Sequence, residues 1–349
     1  MNLRRLSSKA LVIRADATTK IGAGHVMRCL ALASEWRRRG GEVALIGAVD
    51  APEVRQRVQV NVDQFLPVDE SAGAALEKLQ SLNVSSCWIV VDGYHFEDSM
   101  LEDYENSGYA VLVVQDGQRV QRVPATAVLA PDVRDLELNR DSFYGRQVFA
   151  GPRFRPLRAE FCQARKRRKI DCASASVLVG FGGADSKNTT ARVLEALKVV
   201  LRKNDKLFVV LGALNMHEDS VRKALLKLRC KCEVLRDVDN MASLYDLSDV
   251  AVSASGGAAW EMAAMGVPSL LIPVAANQIA TAKFLEGAGA AVLVDSSEVK
   301  EDGELAEKLL EIMTSEELAL NMSRAGPKAV DAKGAVRVCD ALLSNAVLG

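Results

Sequence analysis

A histidine between glycines and a helix offers the clearest chemistry in this sequence. His25 lies in the segment IGAGHVMR (residues 21–28), which follows an apolar run at 11–13 and opens an amphipathic pattern reaching about residue 39. Gly22 and Gly24 let a ligand approach the backbone, and free amides at a helix start favour an anion. An imidazole, whose unperturbed pKa is about 6.5, suits proton transfer beside such a site. His25 is therefore either a general base or a residue that only caps the helix.

A glycine-rich segment stands near the start of the second half. Gly182 and Gly183 follow an apolar run at 176–180 and precede a helical pattern from about residue 188. Backbone without side chains can lie directly against a bound group. The segment is either a ligand-contacting loop or a plain turn between a strand and a helix.

A serine–glycine turn further along predicts a phosphate site. It follows the apolar run at 250–253 and comprises Ser255, Gly256, Gly257 and Ala258. Amides in the first turn of the helix that follows can bind a phosphate group.

Three side chains near this turn can bind the rest of a nucleotide diphosphate. Glu261 can accept two hydrogen bonds from a ribose diol, or be only a surface charge that favours a helix start. Asn277 and Gln278 follow the next apolar run, where their amides can reach a pyrophosphate or a sugar. Together with the serine–glycine turn, they predict a nucleotide-diphosphate site.

Other nucleotide-binding signatures are absent from the sequence. A dinucleotide fingerprint needs a glycine where Met27 stands, and no GxxxxGK[ST] segment occurs. Tyr94 follows the apolar run at 87–91 and is predicted to line a sugar pocket. The sequence favours an ordinary exposed histidine at His95, and His217 has no supporting context.

Apolar runs of strand length alternate with helical patterns along the whole chain, which predicts two doubly wound parallel sheets. The first series covers residues 11–14, 42–46, 87–91, 110–114 and 127–129, and the second covers 176–180, 207–211, 232–235, 250–253, 269–272 and 291–294. Ligands of open α/β sheets bind outside the carboxyl ends of the strands. The predicted active site is therefore a cleft between two domains.

The domain boundaries follow from this alternation. We predict an N-terminal Rossmann-like domain over residues 1–150, a connector over 151–172 and a C-terminal Rossmann-like domain over 173–349. The connector is predicted to hold a helix ending in the basic run 165–169. Because no aromatic residues are interleaved with these charges, a solvated linker is favoured over a nucleic-acid patch.

Composition limits the possible partners and the compartment. The 349-residue chain has 44 Lys and Arg residues against 45 Asp and Glu residues, so no general attraction to nucleic acid or acidic membranes is expected. Seven scattered cysteines contain no CxxC pair and no zinc-type spacing, which indicates reduced thiols in a cytoplasmic protein. No run approaches the ~20 apolar residues of a membrane span.

These motifs together resemble the UDP-sugar hydrolases of pseudaminic acid biosynthesis, which are relatives of spore-coat polysaccharide proteins. The similarity covers about residues 11–295. It is carried by RAD at 14–16, IGAGHVMRCLALA at 21–33, VDGY at 91–94, GPRFRPLRAEF at 151–161, GGAD at 182–185, SGGAAWE at 255–261 and NQ at 277–278. The later glycine motifs are shared with GT-B glycosyltransferases. The chain departs from the family at Gln115 and Asp116, where paired aspartates are usual, and over 119–141.

The resemblance implies a GT-B fold and a metal-independent, cofactor-free hydrolysis of a UDP-linked 2,4-diacetamido-2,4,6-trideoxy sugar. UDP is released with inversion, and His25 is the general base on water. Arg14 and Asp16 join Tyr94 and the groups of the second half as substrate-binding residues. Two other functions stay open. One is a GT-B glycosyltransferase with a UDP-HexNAc-type donor, and the other is a nucleotide-sugar-binding protein without turnover.

Overall fold

The computed structural model describes residues 10–18, 20–68, 72–84, 87–115, 123–132, 147–162, 173–299 and 303–344. The chain divides into two compact units. The first comprises Met1–Ala159 with Ala332–Gly349, and the second comprises Glu160–Asp331. Each unit is built around a parallel sheet of its own.

The first unit contains a seven-stranded sheet in the order β3-β2-β1-β4-β5-β6-β7. Its strands are β1 (Ala10–Ala15), β2 (Glu42–Gly47), β3 (Gln64–Pro67), β4 (Trp88–Asp92), β5 (Ala110–Val114), β6 (Ala127–Ala130) and β7 (Gln147–Ala150). The direction of winding changes between β1 and β4. These two strands and β5 are buried along their whole length, because their mostly apolar side chains are covered on both faces of the sheet.

Four helices of this unit lie between its strands in the chain: α1 (Gly24–Arg38), α2 (Pro52–Asn61), α3 (Ala72–Ser81) and α4 (Asp98–Asn106). The first of them follows β1 and packs against β1, β2 and β4. Val26, Leu30 and Ala33 recur at helical spacing on its buried face. This packing fixes the start of α1 at the carboxyl ends of the central strands.

The second unit contains a six-stranded sheet in the order β10-β9-β8-β11-β12-β13, whose winding changes between β8 and β11. Its strands are β8 (Ser176–Gly180), β9 (Lys206–Leu211), β10 (Lys231–Arg236), β11 (Val250–Ser253), β12 (Ser269–Leu271) and β13 (Ala291–Leu293). Its helices are α5 (Thr189–Leu197), α6 (Glu218–Leu225), α7 (Met241–Leu247), α8 (Gly257–Met265), α9 (Ile279–Gly287), α10 (Glu304–Thr314) and α11 (Glu316–Ala329).

The helix α12 (Gly334–Ser344) corrects a predicted domain boundary. Sequence patterns placed it in the C-terminal domain, whereas residues from Ala332 onward group with the first unit. It packs on α1, and the indole N–H of Trp88 donates to the carbonyl of Leu342 at 3.1 Å. The apolar pattern of a helix does not show which sheet it covers, so only packing decides this assignment.

The structure differs from the predicted elements at both edges of the first sheet. The strands β3 and β7 were not predicted, because they are short and lie at the two edges of their sheet. A short 3-10 helix occupies Ala159–Cys162 in the connector, while the basic run 165–169 and Asp116 lie outside the described residues. No helix in the described part of the chain combines the length and apolarity needed to cross a membrane.

Candidate active site

The start of α1 lies where the first sheet changes its direction of winding. Strands β1 and β4 are neighbours there, and Ala15 is the register partner of Asp92. The turn after β1 contains Gly22 with a φ of +82°, which favours glycine. No described atom lies within 4 Å of the position that a Cβ would take on Gly22 or Gly24. Such an opening at a switch point is where ligands of α/β sheets bind.

His25 is held by a buried carboxylate from the neighbouring strand. Its Nδ1 lies 2.7 Å from Oδ1 of Asp92, the last residue of β4. The His25 side chain is 9% exposed and that of Asp92 is fully buried. Arg28, one turn further along α1, donates from Nε to Oδ2 and from Nη2 to Oδ1 of the same carboxylate. This bidentate contact fixes the orientation of the Asp92 carboxylate toward the imidazole.

The charges around Asp92 keep its carboxylate ionised. Burial raises the pKa of Asp92, but the charge of Arg28 and hydrogen bonds from Arg28 and His25 outweigh burial and lower the pKa to about 2. The ionised carboxylate accepts a hydrogen bond, and its 2.7 Å contact with Nδ1 is shorter than the 3.2 Å between Nδ1 and Nη2 of Arg28. We therefore assign His25 the tautomer that carries its hydrogen on Nδ1. Nε2 then keeps the lone pair that a general base requires.

The buried Cys29 thiol is a third neighbour of the Asp92 carboxylate. Its Sγ lies 3.4 Å from Oδ2 of Asp92. Burial and the charge of Asp92 raise the pKa of Cys29 well above its usual value. The thiol therefore remains protonated and acts as a weak donor to Asp92 rather than as a nucleophile.

Tyr94 extends the site beyond the end of β4. Its ring meets the His25 ring edge-on, with the centroids 4.8 Å apart and an interplanar angle of 83°. The residue is 44% exposed, so part of its surface can meet a ligand. Its role in sugar binding stays a prediction.

Arg14 and Asp16, which the resemblance assigns to substrate binding, are buried at the end of β1. Arg14 donates from Nη1 to Asp16, whose Oδ1 also accepts the backbone N–H of Ala48 at 2.7 Å. The Arg14 guanidinium lies 4.4 Å from the ring centroid of Phe96. Direct contact of Arg14 or Asp16 with substrate stays a prediction.

The glycine loop of the second unit follows β8. Gly182 has a φ of +80°, and neither Gly182 nor Gly183 has a described atom within 4 Å of its Cβ position. The loop packs closely on Gly212, where a Cβ would lie 2.4 Å from the Cα of Gly183. Asp185 ends the loop and caps α5 by accepting two of its first backbone N–H groups at 2.8 and 2.9 Å. The loop is thus fixed on one side and open on the other.

The serine–glycine turn follows β11, which neighbours β8 at the switch point of the second sheet. Ser255 is 1% exposed, and its Oγ has no hydrogen-bond partner among the described residues. α8 begins at Gly257 without a hydrogen-bonding side-chain cap. Gly257 and Ala258 therefore begin a helix whose first amides are available to an anion, with Gly256 as the residue before it.

The side chains predicted to complete the nucleotide site have different surroundings. Nε2 of Gln278 is 3.6 Å from the position of a Cβ on Gly256, so the two residues are neighbours. Glu261 accepts a hydrogen bond on Oε2 from the hydroxyl of the buried Tyr245 at 3.1 Å. Asn277 is exposed at the surface. Nucleotide binding by Glu261, Asn277 and Gln278 stays a prediction.

Sequence reasoning did not find the partners of His25. Arg28 and Asp92 lie in segments that carry the family resemblance, but nothing in the local sequence shows that they contact the histidine. One signal was present: Asp92 ends an otherwise apolar strand, and a carboxylate in that position needs a buried partner. Within the described ranges, no three His, Cys, Asp or Glu side chains are grouped as metal ligands.

Known proteins with similar sequences provide a comparison for this arrangement. Residues 175–337 match the glycosyltransferase family 28 C-terminal domain. The chain is 31% identical over 193 residues to the spore coat polysaccharide biosynthesis protein SpsG of Bacillus subtilis, covering 55% of this chain and 57% of that protein. A Helicobacter pylori protein named pseudaminic acid cytidylyltransferase and UDP-2,4-diacetamido-2,4,6-trideoxy-beta-L-altropyranose hydrolase is 23% identical over 285 residues, 79% of this chain and 47% of that protein. The chain spans about half the length of these curated relatives.

The fold is also that of solved structures. The crystal structure of MurG from Acinetobacter baumannii matches with a TM-score of 0.67 over 97% of this chain and 100% of that chain, at 17% identity. Two parallel sheets, each with its own change of winding direction, account for this likeness. The chain therefore has the GT-B fold, built from two Rossmann-like units, and its residues 175–337 are similar to the C-terminal domain of glycosyltransferase family 28.

Proposed function

We propose that this protein is a nucleotide-sugar enzyme that cleaves a UDP-linked sugar at its anomeric carbon and transfers the sugar to water. The pairing of His25 Nδ1 with the buried, ionised Asp92 carries this proposal. Such a carboxylate holds the imidazole in one tautomer and stabilises the imidazolium that forms on proton uptake. The name of the Helicobacter pylori relative supports a UDP-linked diacetamido-trideoxy sugar as the substrate.

In the proposed reaction, water attacks C1 from the face opposite to the leaving group. Nε2 of His25 takes a proton from the water as the new C–O bond forms. The bond from C1 to the diphosphate oxygen breaks, and its electron pair leaves with UDP. The free sugar therefore has the inverted anomeric configuration. Because a diphosphate is a good leaving group, this scheme needs one base and donors for the developing charge, and it uses no metal or cofactor.

The donors for that charge are proposed to come from the serine–glycine turn. The first amides of α8 and the hydroxyl of Ser255 are available there, and a buried hydroxyl without a partner is costly unless a ligand binds it. The Glu261 carboxylate is proposed to accept hydrogen bonds from the ribose, with Tyr245 holding one of its oxygens.

A glycosyltransferase is the second candidate, and the match of residues 175–337 to the family 28 C-terminal domain favours it. The two reactions share a UDP-sugar donor and a base. They differ in the nucleophile, because in the transferase the hydroxyl of an acceptor takes the place of water.

Time-resolved NMR of the protein with UDP-2,4-diacetamido-2,4,6-trideoxy-β-L-altrose and no acceptor separates these functions. We expect UDP and the free sugar to appear, the sugar first in the inverted configuration. A donor that binds and stays intact until a hydroxyl acceptor is added would instead establish a transferase. A donor that binds and is never cleaved would indicate a binding protein.

A further inference from the structure

A second histidine–carboxylate pair lies at the end of the same two strands. Nε2 of His95 is 2.7 Å from Oδ2 of Asp16, and this carboxylate is fully buried while the His95 side chain is 30% exposed. Sequence reasoning favoured an ordinary exposed histidine at this position. A histidine whose one nitrogen is held by a buried carboxylate is instead an oriented group.

The two histidine–carboxylate pairs connect the ends of β1 and β4 in opposite directions. Asp16 follows β1 and holds the histidine that comes after β4, whereas Asp92 ends β4 and holds the histidine that comes after β1. Both histidines therefore belong to the switch point of the first sheet. Tyr94 connects the pairs along the chain, because its ring contacts His25 and it directly precedes His95.

The His95 ring is fixed by more than its hydrogen bond. It packs on Phe96 with the centroids 4.0 Å apart, and a Cβ on Gly93 would lie 2.9 Å from its Cε1. Asp16 is itself held by Arg14 and by the backbone N–H of Ala48. When neutral, His95 donates its Nε2 hydrogen to Asp16, which leaves Nδ1 as an acceptor.

We propose that His95 contacts the substrate, its Nδ1 accepting a hydrogen bond from a hydroxyl or an acetamido N–H of the donor sugar. This inference rests on the proposed function, because it takes the anomeric carbon to lie at His25. In the proposed function, His25 is the base that activates water, and groups of the second unit bind UDP. His95 directly follows Tyr94, whose ring contacts His25. A hydrogen-bond acceptor fixed at this position is therefore suited to bind the sugar ring. His95 thus determines which sugar is bound.

The test compares the binding of UDP and of UDP-2,4-diacetamido-2,4,6-trideoxy-β-L-altrose by calorimetry in a His25→Asn background. His95→Gln keeps an amide N–H for Asp16 but removes the ring Nδ1, and His95→Ala removes both. His217→Gln, in the second unit, is the matched control. We expect either His95 variant to raise the Kd of the UDP-sugar at least about tenfold and to leave the Kd of UDP unchanged.

A second readout needs no variant at position 95. In His25→Asn protein labelled with ¹⁵N-histidine, the Nδ1 resonance of His95 should shift on addition of the UDP-sugar and stay in place with UDP alone. Equal UDP-sugar affinities, or an unmoved resonance, would overturn the role of His95. Continued release of UDP by His25→Asn would overturn His25 as the base, and the role of His95 would then be judged from the KM for UDP release instead of the Kd. A UDP-sugar that does not bind would overturn both proposals.

Discussion

His25 and Asp92 are 67 positions apart in the sequence, yet Nδ1 of the imidazole lies 2.7 Å from Oδ1 of the carboxylate. The contact depends on β1 and β4 being neighbours in the sheet, since α1 starts after one strand and Asp92 ends the other. Arg28 completes the arrangement by binding both oxygens of Asp92.

Replacing His25 with Asn should strongly reduce turnover while preserving the local structure. The Asn amide N–H can take the place of Nδ1–H toward Asp92, but no group replaces the basic Nε2. We expect kcat to fall by about 10²–10⁴-fold, the usual contribution of general base catalysis. The Kd for UDP should stay unchanged. Initial rates of UDP release measure the effect, with His217→Gln as a control, and a fully active His25→Asn enzyme would contradict the proposed base.

Asp92 should make stability depend on pH in the acid range. Its folded pKa of about 2 lies below the ordinary value of 3.8, so the unfolded carboxylate takes up its proton first as the pH falls. The free energy of unfolding should therefore drop by about 2 kcal/mol between about pH 5 and about pH 2 through this group. Urea unfolding of wild type and Asp92→Asn over this range measures the difference. Parallel pH profiles for the two proteins would contradict the depressed pKa.

The two histidine pairs should hold opposite tautomers. Asp92 binds Nδ1 of His25, whereas Asp16 binds Nε2 of His95. Because each carboxylate accepts the ring hydrogen, neutral His25 should carry it on Nδ1 and neutral His95 on Nε2. The chain has three histidines, so long-range ¹H–¹⁵N spectra can be assigned with single variants. The same tautomer at both positions would show that one of the pairs does not form in solution.

Glu261 should be important for nucleotide affinity if it binds the ribose. Glu261→Gln should weaken UDP binding by about 1–3 kcal/mol, because a ribose hydroxyl would lose its charged acceptor. Tyr245→Phe removes the hydroxyl that donates to Oε2 but can keep the ring contact with Phe161, so a smaller loss is expected. Titration calorimetry with UDP measures both variants. An unchanged Kd for Glu261→Gln would show that Glu261 has only a structural role beside Tyr245.

The packing of α12 should make Gly334 intolerant of a side chain. A Cβ there would lie 2.0 Å from the carbonyl oxygen of Arg155, which is backbone and cannot easily move away. We expect Gly334→Ala to lower the free energy of unfolding by at least about 1–3 kcal/mol. Gly287→Ala is the control, because no described atom lies within 4 Å of its Cβ position. Denaturant unfolding compares the two, and equal stabilities would contradict the close approach of α12 to this segment.

The sequence itself determined the local parts of this protein. Continuous apolar runs such as WIVV at 88–91 are long enough to identify strands that are covered on both faces, and the glycines before His25 mark a turn into a helix. The glycine motifs at 182–183 and 255–258 follow strands of the predicted second sheet, so their position at strand ends was predictable. Edge strands such as Gln64–Pro67 were not, because a strand covered on fewer sides lacks such a run.

Only the tertiary structure decided which groups meet. A carboxylate at the end of an apolar strand can be seen in the sequence, but its partner depends on the order of strands in the sheet. Asp16 and His95 are 79 positions apart and meet for the same reason as Asp92 and His25. Helix α12 joins the first unit although it follows the second unit in the chain. Local patterns specify elements because they arise from neighbouring residues, whereas strand order and helix docking depend on packing between distant ones.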